Sequence, residues 1–568
     1  MKNLCKASIL VILTLMYFVS CTGKKNSSSS VKNTELKIGT SQEFETLNPL
    51  IMTMSQTTYM YHMTGRKLVH MDPDTKWYPQ LAKEIPTIEN GKAKFITVGG
   101  KKKIIAEWEI LENAKWGDGV PVTCHDFAMA RTIALSPNVS IADKESYDMI
   151  EKIDIDSKNP KKCSFTYKKA RWDFNRHGTF YPVPKHLEDE PFKKFNAQKE
   201  GYEKNSTYSK APTNPGLYNG PYLISEIKLS DHVTFIPNPH FYGEKPKIQK
   251  VIIKLIPNTA ALEANLRSGT VDMISTLGLS FDQAVEFDKK INAEKLPYLV
   301  TFTKGITYEH IDFNLDHPFF KDGRVRRAMI QALDRESLTK SLFEGKQESA
   351  IHFVSPKDPW FTRDEKYVIG AKFSKRDAEK LLAEAGWKKG EDGYLYKDNK
   401  KFSVNFGTTA GNKIRELVQV YLQDQWKQVG IEVNIKNEPA RVFFGETTKK
   451  RKFDLAMYAW VSSPENIPRS TFHSTSIPST KNGYSGQNQP GWNNPKVDKL
   501  IEDLEIEFDS KKRTDLAWEL QKVYTEEAPV IPLYYRSDVS AVPPNLKNYR
   551  PSGHQFHETG KIEEWTLE

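Results

Sequence analysis

Few residues in this chain are spaced for bond-making chemistry. His554 and His557 stand three apart, a spacing at which one helix face can offer two imidazoles to a metal ion. Pro551, Gly553 and Gly560 interrupt that stretch, so the expectation is two ordinary surface histidines and no metal site. No G-x-S-x-G elbow, H-E-x-x-H pair or G-x-x-x-x-G-K-[ST] loop occurs. The reading is therefore of a protein that is not an enzyme, with no catalytic residue and no cofactor. Four cysteines remain as reactive groups: Cys5, Cys21, Cys124 and Cys163.

Two of these lie at the start of the chain. Residues 1–20 carry Lys2 and Lys6, then an apolar run from Ala7 to Val19, and read as a secretory signal peptide. That run is short of the about 20 apolar residues that a membrane-spanning helix needs. Phe18-Val19-Ser20-Cys21 resembles the lipobox of bacterial lipoproteins, which makes Cys21 the expected lipidation site. Residues 21–35 include Ser27-Ser28-Ser29-Ser30 and read as a flexible tether, so the chain is expected to be held at a membrane by its acyl anchor. Export places Cys124 and Cys163 where a disulfide persists, and the two are expected to pair.

The rest of the chain shows what must position any site. Charged residues make up 27% and apolar ones 38%, an ordinary globular balance. The net charge of +10 is spread over interleaved acids and bases, with short runs such as Lys101-Lys102-Lys103, so no nucleic-acid partner is expected. Short β runs alternate with amphipathic helices, which argues an α/β architecture. Leu36-Lys37-Ile38-Gly39-Thr40 reads as a strand, and Val251-Ile252-Ile253-Lys254-Leu255-Ile256 as one covered on both faces. Helices are predicted over 260–267, 378–385 and 414–426, and Asp334 is predicted to cap another. Cys124 opens a predicted helix, and Val530 to Tyr535 reads as a strand.

The punctuation of these elements resembles one known family. Trp116-Gly117-Asp118-Gly119-Val120-Pro121-Val122-Thr123, Asn219-Gly220-Pro221-Tyr222 and Leu266-Arg267-Ser268-Gly269-Thr270-Val271-Asp272 stand in family order. So do Pro318-Phe319-Phe320-Lys321-Asp322-Gly323-Arg324-Val325-Arg326-Arg327-Ala328 and Ala528-Pro529-Val530-Ile531-Pro532-Leu533-Tyr534-Tyr535. Together they resemble the bacterial extracellular solute-binding proteins of family 5, the oligopeptide-, dipeptide- and nickel-binding lipoproteins of ABC importers. The resemblance implies an α/β, two-lobed periplasmic-binding-protein fold of the type 2 clamshell kind, with an extra subdomain in the N-terminal lobe. Lobe I is expected over 36–305 plus 538–568, with the inserted subdomain at about 52–210, and lobe II over 306–537. Hinge segments are expected near Gly305–Ile311 and Tyr535–Val539. Implied partners are a peptide ligand and an ABC permease in the inner membrane, with the protein itself a monomer in the periplasm or cell envelope.

The resemblance also places ligand contacts. In peptide-binding relatives an aspartate three residues after a tryptophan pairs with the peptide's α-ammonium; here the tryptophan is Trp460 and the matching position is Ser463, which is neutral. Either Glu465 takes that role or the ligand is not an ordinary free-amine peptide. Asn488 and Trp460 are expected beside the ligand, Tyr535 and Arg536 where the chain re-enters the hinge, and Met54, Ser55 and Tyr147 on the first-lobe side. An oligosaccharide or metal chelate on the same fold, a hydrolase and a purely structural lipoprotein stay open as alternatives.

Overall fold

The computed structural model describes residues 35–568 apart from Thr53, Ser140, Ala142, Asp143, Ala440, Arg441, Gly483 and Ser485. The expected signal peptide, Cys21 and nearly all of the tether lie outside the described residues. No helix among those described is long and apolar enough to cross a membrane.

Two long strands organise the molecule. Leu299–Phe313 and Val530–Val542 are rich in β-branched and aromatic residues, which suit a packed pleated surface. They pair antiparallel, from Leu299 against Val542 to Asp312 against Val530. The register breaks between Lys304 and Tyr308, so that residues 305–307 bulge opposite Arg536. Gly305 is required there: a Cβ would stand 2.6 Å from the Arg536 carbonyl oxygen. The C-terminal tail packs onto this bulge, with the Ile306 amide donating to the Gly553 carbonyl at 2.9 Å. Gly553 has φ +71°, the left-handed region that glycine enters without penalty.

Each end of this pair belongs to a different lobe. On one side Met273–Ile274, Glu35–Thr40, Lys250–Leu255, His232–Pro237 and Tyr222–Lys228 continue the sheet. On the other, Leu455–Trp460, Ser403–Gly407 and Glu432–Ile435 do so. With Glu348–Ser349 paired off this path to Val530–Val542, the result among the described residues is one 11-stranded sheet, held together by the two long strands that run from lobe to lobe. Lys250–Leu255 differs from expectation: Val251 and Ile253 are buried while Ile252 and Lys254 are half-buried, so only one face is fully covered. Asp334 caps its helix as predicted, its carboxylate accepting from the Ser337 amide at 2.9 Å.

The subdomain of the first lobe carries its own antiparallel sheet, ordered Ala93–Val98, Lys101–Glu109, Lys162–Tyr167, Ile150–Ile155. Helix Cys124–Ala134 is tied to it by a Cys124–Cys163 disulfide, with Cα atoms 6.2 Å apart. One core, containing Trp108, Trp116 and Phe165, fills this lobe; a second, around Phe313, Trp387 and Trp426, fills the other. A third bridges them. It sets Trp172 of the subdomain among Val354, Trp360, Phe472 and Tyr524 of the second lobe.

Candidate functional site

A cavity of about 630 Å³ lies where the long strands pass between the lobes. Its size is that of a site for a small or medium ligand. Exposure along Val530–Val542 shows why it opens there: the strand is buried at both ends and solvent reaches only Arg536, Ser537 and Asp538. Tyr534 and the run from Arg536 to Val539 line the cavity, where the register break lets neighbouring residues of the strand reach it.

Four helices begin at its wall. Ser55 and Thr58 come from the first turn of Ser55–Thr64, and Thr259 from the start of Thr259–Arg267. Ser280 and Phe281 open Phe281–Glu294; Ile414 and Arg415 follow the Asn412 cap of Lys413–Gln428. Amide dipoles at helix N-termini make the surrounding wall electropositive.

The charged groups divide sharply. Glu309 is buried, and its carboxylate accepts from Arg415 Nε at 2.5 Å and Nη2 at 3.4 Å. Arg415 donates also to Thr409 Oγ1 at 3.1 Å. Arg536 approaches Glu309 only to 4.0 Å and keeps half of its side chain exposed. Asp538 is half-buried, and its carboxylate makes no hydrogen bond or ion pair with the described residues. Burial pushes its carboxyl up to about 6, against the pull of Arg536 and Lys357.

A group of imidazoles closes one end. His62 is buried, and neither of its ring nitrogens finds a hydrogen-bond partner among the described residues. Burial and its cationic neighbours hold it well below the usual histidine range, so it is neutral. His554 and His557 also line the cavity, each lowered to about 4 by burial. The expectation of surface histidines is thereby corrected. Despite its glycines and proline the tail folds back on the hinge, and His554 Nε2 is 3.0 Å from the Asp72 carbonyl. Among the described residues no three His, Cys, Asp or Glu side chains converge to hold a metal ion.

The expected ligand contacts fall in different places. Ser55 and Arg536 line the cavity. Met54 stands exposed at the N-cap of the same helix as Ser55, its amide donating to Glu45 Oε1 at 2.8 Å. Trp460 ends its strand half-buried, its ring parallel to His310 at 6.2 Å, and Ser463 lies in the half-buried loop beyond. Glu465 is committed elsewhere: its carboxylate takes Arg176 Nη1 at 2.5 Å and its amide donates to Asp358 Oδ2 at 2.8 Å. Asn488 is fully buried, with its amide side chain holding the turn through His473, Gly491 and Trp492 backbone atoms. Tyr535 donates its hydroxyl to the carbonyls of His352 and Val354. Tyr147 is buried against Phe180 and accepts from the Tyr181 amide at 3.2 Å. For these last four residues the ligand-contact expectation gives way to a packing role, since their polar groups are already matched inside the protein.

Glu309, Arg415, Asp538 and His62 were missed from the sequence. No local signal marked Asp538: Arg536, Ser537 and Asp538 interrupt the apolar run together, without the alternation that marks one wet face.

Residues 101–479 match the family described as bacterial extracellular solute-binding proteins, family 5 Middle. Among curated relatives, the oligopeptide-binding protein AppA of Bacillus subtilis (strain 168) is 26% identical over 570 residues, covering 99% of this chain and 98% of that protein. The oligopeptide-binding protein of Thermus thermophilus, solved with a pentapeptide, superimposes with a TM-score of 0.76 at 27% identity, over 94% of this chain and 96% of that one. The structure of Bacillus subtilis AppA with a nonapeptide gives 0.73 at 25% identity, over 94% and 99%. The two-lobed architecture, the interlobe cavity and a match over more than half of the sequence converge: this chain belongs to the bacterial extracellular solute-binding proteins of family 5.

Proposed function

We propose that this protein captures peptides in the interlobe cavity and delivers them to the membrane permease of an ABC importer. Its family is one of extracellular substrate-binding proteins and not of enzymes. The observation that carries the reading is the cavity itself, with walls from both lobes and an under-paired Arg536 facing into it. A ligand there touches both halves and so favours the closed form over the open one. Arg536 is suited to a ligand carboxylate, which a guanidinium holds bidentately. The proposed lobes are 36–305 with 538–568, and 306–537, joined where the register breaks. Cys21 is proposed to carry the lipid that holds a monomer at the membrane surface, in the periplasm or cell envelope.

Native mass spectrometry of the purified protein tests this. A ladder of short peptides should be released on unfolding, and adding them back should raise thermal stability, as linkage requires. The same spectrum reports the anchor through the mass of acyl chains on Cys21. The neutral, unpartnered edge of His62 favours a second reading, a chelate that brings most of its metal's ligands with it; a metal complex in place of peptides would establish that reading and sink the first.

A further inference from the structure

The cavity holds two carboxylates that differ in what they have left to give. Glu309 is spent, because Arg415 fills both its oxygens. Asp538 has no partner, although it lies half-buried in the wall where an unpaired carboxylate is costly. Glu465, the other acidic candidate, is held by Arg176. Around Asp538 the wall is otherwise hostile to cations: four helix N-termini and Arg536 point the same sign of potential into the space. Glu558, whose carboxylate accepts from the Thr276 and Tyr549 hydroxyls, is pushed up to about 7 by burial and by Asp538, and so leaves Asp538 as the stronger acid of the two. A cationic group entering this cavity therefore meets one favourable station.

We propose that Asp538 receives the free α-ammonium of the bound ligand, in place of the aspartate that Ser463 lacks. This rests on the peptide reading above. Arg536 stands two residues earlier on the same strand, so a cationic and an anionic station lie side by side in the cavity. The ammonium supplies the charge-assisted hydrogen bonds that the carboxylate lacks, and the bare carboxylate is then matched only when ligand is present.

The test uses two libraries of tri- to pentapeptides of randomised sequence, one with free amino termini and one N-acetylated, offered to the purified protein and scored by mass spectrometry and calorimetry. The wild type should favour free-amine peptides by about tenfold or more, the worth of one hydrogen bond to a charged group. In Asp538→Asn that preference should fall to near unity. Asp538→Ser serves as a second variant, and thermal unfolding of both shows that each is folded. If either folded variant keeps the full preference, or the wild type binds both libraries equally, the assignment of Asp538 is overturned while the peptide reading stands. If the wild type binds neither library, the peptide reading fails and takes the assignment with it.

Discussion

The subdomain's contact with the second lobe and the floor of the cleft use charge in opposite ways. At the contact, Glu505 is buried and takes Lys169 Nζ at 2.6 Å, Arg469 Nη2 at 3.1 Å and Arg171 Nη1 at 3.6 Å. Trp172 carries the guanidinium groups of Arg176 and Arg513 against its ring, at 4.2 and 4.0 Å, and its backbone amide donates to the Glu505 backbone carbonyl. Arg176 in turn is paired with Glu465. At the floor, Asp538 has no partner and Arg536 only a distant one. Matched charge holds two surfaces in register, whereas unmatched charge in a cavity is an interaction kept for a visitor.

The contact can be broken from behind. The subdomain that presents Trp172 is stapled by Cys124–Cys163 across a sequence separation of 39. Removing that link restores the chain entropy of the loop, a loss of about 4 kcal/mol. Cys124→Ser, or reduction of the wild type, should lower the urea midpoint of unfolding accordingly, and an unchanged midpoint would show that the staple carries nothing.

Next in size is the anion at the contact. Glu505→Gln leaves several cations facing a neutral amide, at a cost of about 3 kcal/mol, the low end for a buried ion pair because Lys169 is half exposed. Burial raises the Glu505 carboxyl, but Arg469, Lys169 and Arg171 outweigh it and hold the group below its ordinary range. A depressed carboxyl contributes stability above its unfolded value, near 4.3, and loses it as pH falls through the lower folded value. Acid titration followed by tryptophan fluorescence should therefore show Trp172 becoming mobile below about pH 4, and Glu505→Gln should abolish that transition.

The fold was more legible in the sequence than the site, and particular residues show why. Asp334 signalled its helix because a cap is a local hydrogen bond, made within three residues of chain. The strand at 530–535 was legible as an apolar run, but its extension to Val542 was not, since Arg536, Ser537 and Asp538 break that run and were expected as part of a hinge segment. The family resemblance placed Asn488 beside the ligand, but an asparagine that holds a turn looks the same in sequence; only the partners of its amide tell the two apart. His554 and His557 sat in a stretch whose Pro and Gly predicted a loose tail. Their burial depends on Gly553 meeting the bulge at Gly305, a contact between residues nearly 250 apart that no local pattern encodes.

The smallest effect has the opposite sign. If the floor of the cleft is left unmatched for a ligand's sake, relieving it should stabilise the empty protein. In the folded state burial lifts the Asp538 carboxyl to about 6, with Arg536 and Lys357 opposing, while in the unfolded chain it titrates near 3.9. A raised carboxyl penalises folding once it must ionise, so the penalty is absent below about pH 4, grows to pH 6 and is constant above. Asp538→Asn should therefore match the wild type at pH 4 and exceed it at pH 8 by about 1 kcal/mol, well under the full shift because water in the cavity screens a half-buried group. Urea unfolding at the two pH values, without peptide, checks both the sign and the window. Equal stability at pH 8 would mean that the carboxylate finds compensation in the empty protein. The contrast between a matched contact and an unmatched floor would then fail at the residue on which it most depends.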